Sequence, residues 1–213
     1  FTKEQYKEII DLAYKMEELL TRHSEVMNRY DPQGRVDLLV DEWGTWFDVE
    51  PGTNPGHLFQ QNTMRDAMVA ALSFNIFHKY TSRLKMANIA QIANVLQSMV
   101  LTDGAKMVLT PTYHVFRMYN VHQDATYLPL TCSSTNFTDS NGRECPVVDA
   151  TASRHAEGVV NVTLTNTDLE NGAEITISIA AHGKPEITAE ILTSGNISDY
   201  NGFDNPENVK PAA

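Results

Sequence analysis

The chain has 213 residues, with 16 Lys and Arg against 27 Asp and Glu, a formal net charge of −11. It has no basic run longer than a pair, which argues against a nucleic-acid or anionic-membrane partner. No apolar stretch approaches the ~20 residues that cross a bilayer, whereas a neutral, polar partner such as a carbohydrate fits this composition.

The first segment reads as an amphipathic helix. Thr2 and Gln5 match a capping box, and Phe1 with Tyr6 is spaced for a hydrophobic staple. Tyr6, Ile9, Ala13, Met16 and Leu20 then fall on one face. Asp31-Pro32-Gln33-Gly34 is turn chemistry. Val36, Leu38, Leu39 and Val40 follow as a strand expected to be buried on both faces, as in a parallel sheet. That run stops at Asp41 and Glu42, and Trp43 and Trp46 come directly after.

A parallel strand delivers functional residues at its carboxyl end, and Glu42 stands there. Aromatic rings beside a strand-end acid suit a sugar site, because they stack on the apolar C–H faces of the ring. An ordinary acid capping the next turn, with both tryptophans in a core, would produce the same string of residues. Asp41 reads as a hydrogen-bonder at the sheet end rather than a second acid.

Residues 47–61 contain Pro51, Gly52, Pro55 and Gly56 and read as a long loop of the kind that often carries function. His57 within it reads as a solvated loop histidine. Asn62 is placed to cap a second helix running to about Tyr80, with Met64, Ala67, Met68, Ala71, Leu72 and Ile76 buried and His78 structural. A second strand is expected over Lys85–Ala90, with Gln91 near its end, and a short helix over Ala93–Met99. Gln91 and Asn94 could equally form a polar stripe on a helix. Helix, strand, helix, strand, helix is the order of an α/β architecture with a parallel sheet. Two parallel strands bury little surface alone, so this region is expected to be the tail of a larger α/β domain.

After Thr102-Asp103-Gly104 the pattern turns to alternation. Strands are expected over Tyr113–Tyr119, Val160–Thr165, Glu174–Ala180 and Ile187–Leu192, with turns at Asp139–Gly142 and Asp168–Gly172. The second half therefore reads as an antiparallel β-sandwich. Cys132 and Cys145 have no metal-ligand spacing, and could pair in an oxidising compartment or stay as free thiols. No cofactor or metal is expected.

Three stretches together resemble glycoside hydrolase family 51, the α-L-arabinofuranosidases. They are Asp41-Glu42-Trp43-Gly44-Thr45-Trp46, then Lys85-Met86-Ala87-Asn88-Ile89-Ala90-Gln91-Ile92-Ala93-Asn94, then Pro111-Thr112-Tyr113-His114-Val115-Phe116. The resemblance implies an α/β plus all-β chain. Residues 1–102 would be the C-terminal quarter of a (β/α)₈ TIM barrel, and 103–213 an antiparallel jelly-roll sandwich. It further implies that Glu42, ending barrel strand seven, is the catalytic nucleophile. Trp46 would line the arabinose subsite, and Gln91, ending strand eight, would hydrogen-bond the sugar. Gly44 stands where the family often has Asn.

A retaining glycosidase needs a second carboxyl as acid/base, about 5–5.5 Å from the nucleophile. The nucleophile stays ionised while its partner keeps a raised pKa. In the family that second group ends strand four in an Asn-Glu pair, which this chain lacks, so the chain alone is expected to be inactive. The implied substrate is an arabinose-containing oligo- or polysaccharide, and the implied assembly is a homo-oligomer. A carbohydrate-binding or purely structural sandwich is the rival reading. It would require Tyr113, Phe116, Tyr119 and Tyr127 to be exposed on one sheet face.

Overall fold

Thr2 opens the first helix through its capping box. In the computed structural model, which describes residues 2–139, 142–180 and 186–213, the Thr2 hydroxyl accepts from the Gln5 amide. The Gln5 side chain accepts from the Thr2 amide in return, at 2.9 Å. The staple expected with Phe1 lies outside the described residues. Helix α1 (Lys3–Tyr30) buries Tyr6, Ile10, Ala13, Tyr14 and Leu20, with Ile9 and Met16 packed beside them. Leu12, Leu19 and Val26, each seven residues apart, stay exposed on its other side.

The turn after α1 is fixed by one buried cation. Arg83 donates to Asn28 Oδ1 (2.8 Å), to the Asp31 carboxylate (3.2 Å), and to the carbonyls of Asp31 and Val36 (2.8 Å each). The Val36 amide and then the Arg83 guanidinium hold the Asp31 carboxyl below the usual carboxylate range. This cluster sets where strand β1 (Leu38–Trp43) begins. Helix α2 (Met64–Lys79) follows, then strand β2 (Leu84–Ile89), which pairs with β1 in parallel.

The helices cover only one face of that pair. Leu38, Val40, Ala87 and Ile89 pack on the core with α1 and α2. Leu39 and Met86, neighbours in register on the other face, are each 45% exposed, and Val36 is 60% exposed outside the strand. Burial on both faces, expected for an all-apolar run, is therefore not seen; no described element packs on the second face.

Thr63, not Asn62, caps α2, with the Thr63 amide donating to Asp66 at 2.8 Å in a capping box one residue later than expected. The helix expected over Ala93–Met99 is absent. Asn94 and Leu96 there adopt φ values of 57° and 54°, which an α-helix excludes. Strands β3 (Val100–Asp103) and β4 (Lys106–Leu109) form a hairpin turned by Gly104 at φ 56°.

The strand expected over Tyr113–Tyr119 is helix α3 (Pro111–Tyr119) instead. Thr110 caps it by accepting from the Tyr113 amide, and Pro111 stands in its first turn, where a missing N–H costs nothing. Thr112, Val115 and Tyr119 bury at helical spacing. The alternation that suggested a strand is the coincidence of a short amphipathic stretch.

Strands β5 (Thr126–Tyr127), β6 (Asn136–Thr138), β7 (Glu144–Pro146), β8 (Val148–Arg154) and β9 (Val160–Asn166) complete the described elements. They make an antiparallel three-stranded sheet in the order β5-β8-β9 and a β6–β7 hairpin. The turn expected at Asp139–Gly142 includes Ser140 and Asn141, which lie outside the described residues. β9 matches its expectation closely. Glu174–Ala180 carries no strand, and Ile187–Leu192 has only a single bridge, Ile191 to Ala212. Ile175, Ile177 and Ile179 are exposed. They alternate as a strand does, but no described strand pairs with them, and a strand exists only with a partner. Cys132 and Cys145 are free.

The two halves of the chain meet along α1, α2 and α3. Tyr6 donates to the Thr167 carbonyl (3.2 Å) and Tyr14 to the Pro146 carbonyl (3.0 Å). Trp43, Phe74, Phe77, Phe116 and Tyr119 form an aromatic cluster, with Trp43 stacked on Phe116 at 6.0 Å and edge-on to Phe77 at 5.2 Å. Tyr119 donates to Asn75 Oδ1 at 2.7 Å. His78 and His122 sit at its rim with ring centroids 5.0 Å apart. His78 bonds Thr151 Oγ1 (3.1 Å), and His122 bonds Ser153 Oγ (2.7 Å) and Thr163 Oγ1 (3.0 Å).

Burial pushes both imidazoles down to about 4, against about 6.5 in an unfolded chain. Between these values the unfolded chain binds protons that the folded chain does not, so stability falls as pH drops through that window. Asp149, whose carboxyl is raised by burial, acts in the opposite sense and softens the loss. Lowering the pH from 7 to 4.5 should cost on the order of a few kcal/mol in urea unfolding. His122→Gln should flatten that slope, and an unfolding midpoint flat across this range would contradict the assignment.

Candidate active site

Parallel pairing carries the carboxyl ends of β1 and β2 to the same edge. Trp43 aligns with Ile89, and the Ala90 amide donates to the Trp43 carbonyl at 2.9 Å, the last rung between the strands. Glu42 stands one residue before that rung, and Gln91 directly after it. Both are exposed. Gln91 is not helical and Asn94 has a φ of 57°, so the alternative of a helix stripe joining them does not hold. The Asn94 side chain instead clasps Thr102, accepting from its amide (2.8 Å) and donating to its hydroxyl (2.7 Å).

The two tryptophans part company. Trp43 is 5% exposed in the aromatic cluster, so it belongs to the core. Trp46 is 63% exposed and walls a cleft of about 190 Å³ with Leu12, Met16, Phe47 and Val69. Glu42 does not line that cleft.

The turn that separates these two rings depends on Gly44. Its φ is +136°, and a Cβ there would lie 2.5 Å from Gln97 Nε2 and 3.5 Å from the Ala90 carbonyl oxygen. Any larger side chain, including the Asn common in the family, needs a different arrangement of Gln97. Gly44→Ala should lose roughly 1–3 kcal/mol through backbone strain alone. Urea unfolding checks this, and an unchanged midpoint would show that the turn relaxes freely.

Beyond Gly44, Thr45 and Phe47 of the turn are anchored by side chains from α2 and the loop before it. Thr45 donates to Asp66 Oδ1 at 2.6 Å, which joins the turn to the first turn of α2. The Phe47 amide donates to Gln60 Oε1 (2.9 Å), and Gln60 Nε2 donates back to the Phe47 carbonyl (2.8 Å). Arg65 stacks on the Phe47 ring at 4.0 Å. Buried Asn62 donates to the Gln97 carbonyl and to Thr112 Oγ1, both at 2.7 Å. Asp66 could have been found as the third helical residue of a capping box. Gln60 and Gln97 carry no local signal, and the local signal of Asn62 points to a helix cap rather than to its contacts with Gln97 and Thr112, which are distant in sequence. His57 is exposed at the end of a short 3₁₀ turn, as expected for a solvated histidine. Among the described residues, no group of three or more His, Cys, Asp or Glu could hold a metal ion, and no helix is long and apolar enough to cross a membrane.

An acid and an amide stand at the carboxyl edge of a parallel pair, with an exposed indole on the adjoining turn, which is the edge where α/β proteins carry their ligand sites. Residues 41–213, which include Glu42, Trp46 and Gln91, match the family described as the alpha-L-arabinofuranosidase C-terminal domain, and the chain belongs to that family. It is 52% identical over its whole length to an intracellular exo-α-L-arabinofuranosidase of Bacteroides ovatus, of which it spans 41%. It is 21% identical, over 83% of its length, to an intracellular exo-α-(1→5)-L-arabinofuranosidase of Bacillus subtilis, spanning 37% of it. Among solved structures, it superposes on the GH51 arabinofuranosidase of Xanthomonas axonopodis pv. citri with a TM-score of 0.89 and 46% identity. That match covers all of this chain and 43% of the other. The α-L-arabinofuranosidase of Thermotoga maritima, solved as an arabinose complex, shares the fold at a TM-score of 0.81 and 20% identity over 97% of this chain and 45% of that one. The chain thus spans less than half the length of the relatives it matches.

Proposed function

We propose that this chain is the C-terminal part of a retaining α-L-arabinofuranosidase that releases terminal arabinofuranosyl residues from arabinan- or arabinoxylan-type substrates. Residues 1–102 are the last quarter of its (β/α)₈ barrel, with β1 and β2 as strands seven and eight. Residues 103–213 are its jelly-roll domain, and the whole assembles as a homo-oligomer. Glu42 is the nucleophile, Gln91 hydrogen-bonds the sugar, and Trp46 lines the subsite. The observation that carries this reading is the parallel register that brings Glu42 and Gln91 to one edge.

In this mechanism the Glu42 carboxylate attacks the anomeric carbon and displaces the leaving oxygen, forming a covalent glycosyl-enzyme. A second carboxyl, supplied by residues not in this chain, protonates that oxygen and then takes a proton from the attacking water. The Gln91 amide holds a sugar hydroxyl in place for attack. The rival binding-module reading finds no support in the aromatics: Tyr113, Phe116 and Tyr119 lie on α3, and Phe116 and Tyr119 are packed in the core cluster.

Hydrolysis of an aryl α-L-arabinofuranoside by the longer protein that contains this chain tests the proposal. Gln91→Ala should lower kcat/KM by at least the ~1 kcal/mol of a lost hydrogen bond, or about fivefold. An unchanged kcat/KM would remove Gln91 from the site. The chain on its own should stay at background in this assay and self-associate in light scattering, since the open edge of β1 and exposed Leu39 and Met86 recruit other chains.

A further inference from the structure

We propose that Gln97 is a positioning residue for the strand-end site, acting through the turn after Glu42 and through Gln91; this rests on the functional reading above. Gln97 is 1% exposed. Its Nε2 donates to the Ala90 carbonyl, one residue before Gln91. The same nitrogen occupies the space where a side chain on Gly44 would sit, since a Cβ there would lie 2.5 Å away. One amide is therefore wedged between the residue two positions after Glu42 and the residue immediately before Gln91.

Gln97 is itself held from behind. Its main-chain carbonyl accepts from Asn62 Nδ2 at 2.7 Å. Asn62, fully buried, is tied to α3 by donating to Thr112 Oγ1 (2.7 Å) and accepting from the Thr112 amide (3.3 Å). A chain of buried amides thus runs from the first turn of α3 to the rims of both strands. The glycine at position 44 and the glutamine at position 97 form a steric pair: the absent side chain of one makes room for the amide of the other. Placement of reacting groups is demanding, since a displacement of about 1 Å can cost about 10²-fold in rate. A side chain that buttresses both strand ends acts on that placement without touching the sugar.

The test uses the full-length enzyme containing this chain, with Gln97→Met, which keeps length and bulk but removes the donor. Activity on an aryl α-L-arabinofuranoside is expressed per active site, counted by covalent trapping of the nucleophile. The expected result is a fall in kcat of about tenfold or more, with KM changed less than about threefold and the melting point lowered only slightly. An unchanged kcat per trapped site overturns the proposal. So does a loss of rate fully explained by loss of trapped, folded sites, which would make Gln97 an ordinary core residue. If Gln97→Met gives no folded enzyme, Gln97→Asn, which keeps the amide but withdraws it from Ala90, is judged by the same two criteria. Glu42→Ala is measured alongside. Normal turnover in that variant would remove the functional reading itself, whereas a dead Glu42→Ala beside a normal Gln97→Met removes only the role of Gln97.

Discussion

Glu42→Ala in the full-length enzyme should abolish turnover of aryl α-L-arabinofuranosides, with a loss on the order of 10⁴-fold or more, the scale seen when a catalytic nucleophile is deleted. The fold should survive. Glu42 is exposed at the end of β1, and the substitution removes no packing from the aromatic cluster beneath it. With the carboxylate gone, the first step has no attacking oxygen, but the acid/base group and the sugar contacts remain. Azide should then enter the vacated space and attack the anomeric carbon from the same side as Glu42 did. The product should be the β-configured glycosyl azide, formed faster than hydrolysis proceeds without azide. Retention of near-normal turnover would show that another residue is the nucleophile.

The second large effect is a contrast between the two tryptophans. Trp43→Ala should destabilise the fold by about 3–5 kcal/mol, the range for deleting a buried aromatic ring. That ring is 5% exposed and packs on Phe74, Phe77 and Phe116, so its loss leaves a cavity between β1, α2 and α3. Trp46→Ala should change stability by well under about 1 kcal/mol, as surface substitutions do. It should instead raise KM and lower kcat/KM, because this exposed ring lies on the turn beside the proposed nucleophile. Denaturant unfolding and steady-state kinetics on both variants separate the roles. Equal destabilisation by the two substitutions would mean that Trp46 is a core residue.

The barrel-like half was legible because its signals are local. The capping box at Thr2, the helical stripe of α1 and the apolar run ending at Glu42 each lie within a few residues. The structure shows α1 where these cues place it and β1 shifted to Leu38–Trp43, whereas the helix expected over Ala93–Met99 is absent. Burial was less legible. Nothing in Val36–Val40 tells which face has a covering partner, and Leu39 shows that only one does. The second half was harder because period-two and period-3.6 patterns coincide in a short segment. Tyr113–Tyr119 alternates, but the Thr110-Pro111 start signal decides for a helix. Glu174–Ala180 alternates as well, and pairing, which sequence pattern does not encode, decides against a strand there. Of the candidate site, Glu42 could be singled out by its strand-end position, whereas Trp46 and Gln91 are picked out by the family resemblance. The bracing roles of the amides Gln60, Asn62 and Gln97 could not be read, even though Asn62 is expected as a helix cap, since each role comes from contacts across loops.

Covalent trapping tests the assignment of Glu42 most directly. Incubating the full-length enzyme with a mechanism-based arabinofuranosyl inactivator, then digesting it and reading peptide masses, should place the label on Glu42 at one per active site. A label on any other carboxylate, or full inactivation with no covalent adduct, would contradict Glu42 as the nucleophile of a retaining enzyme.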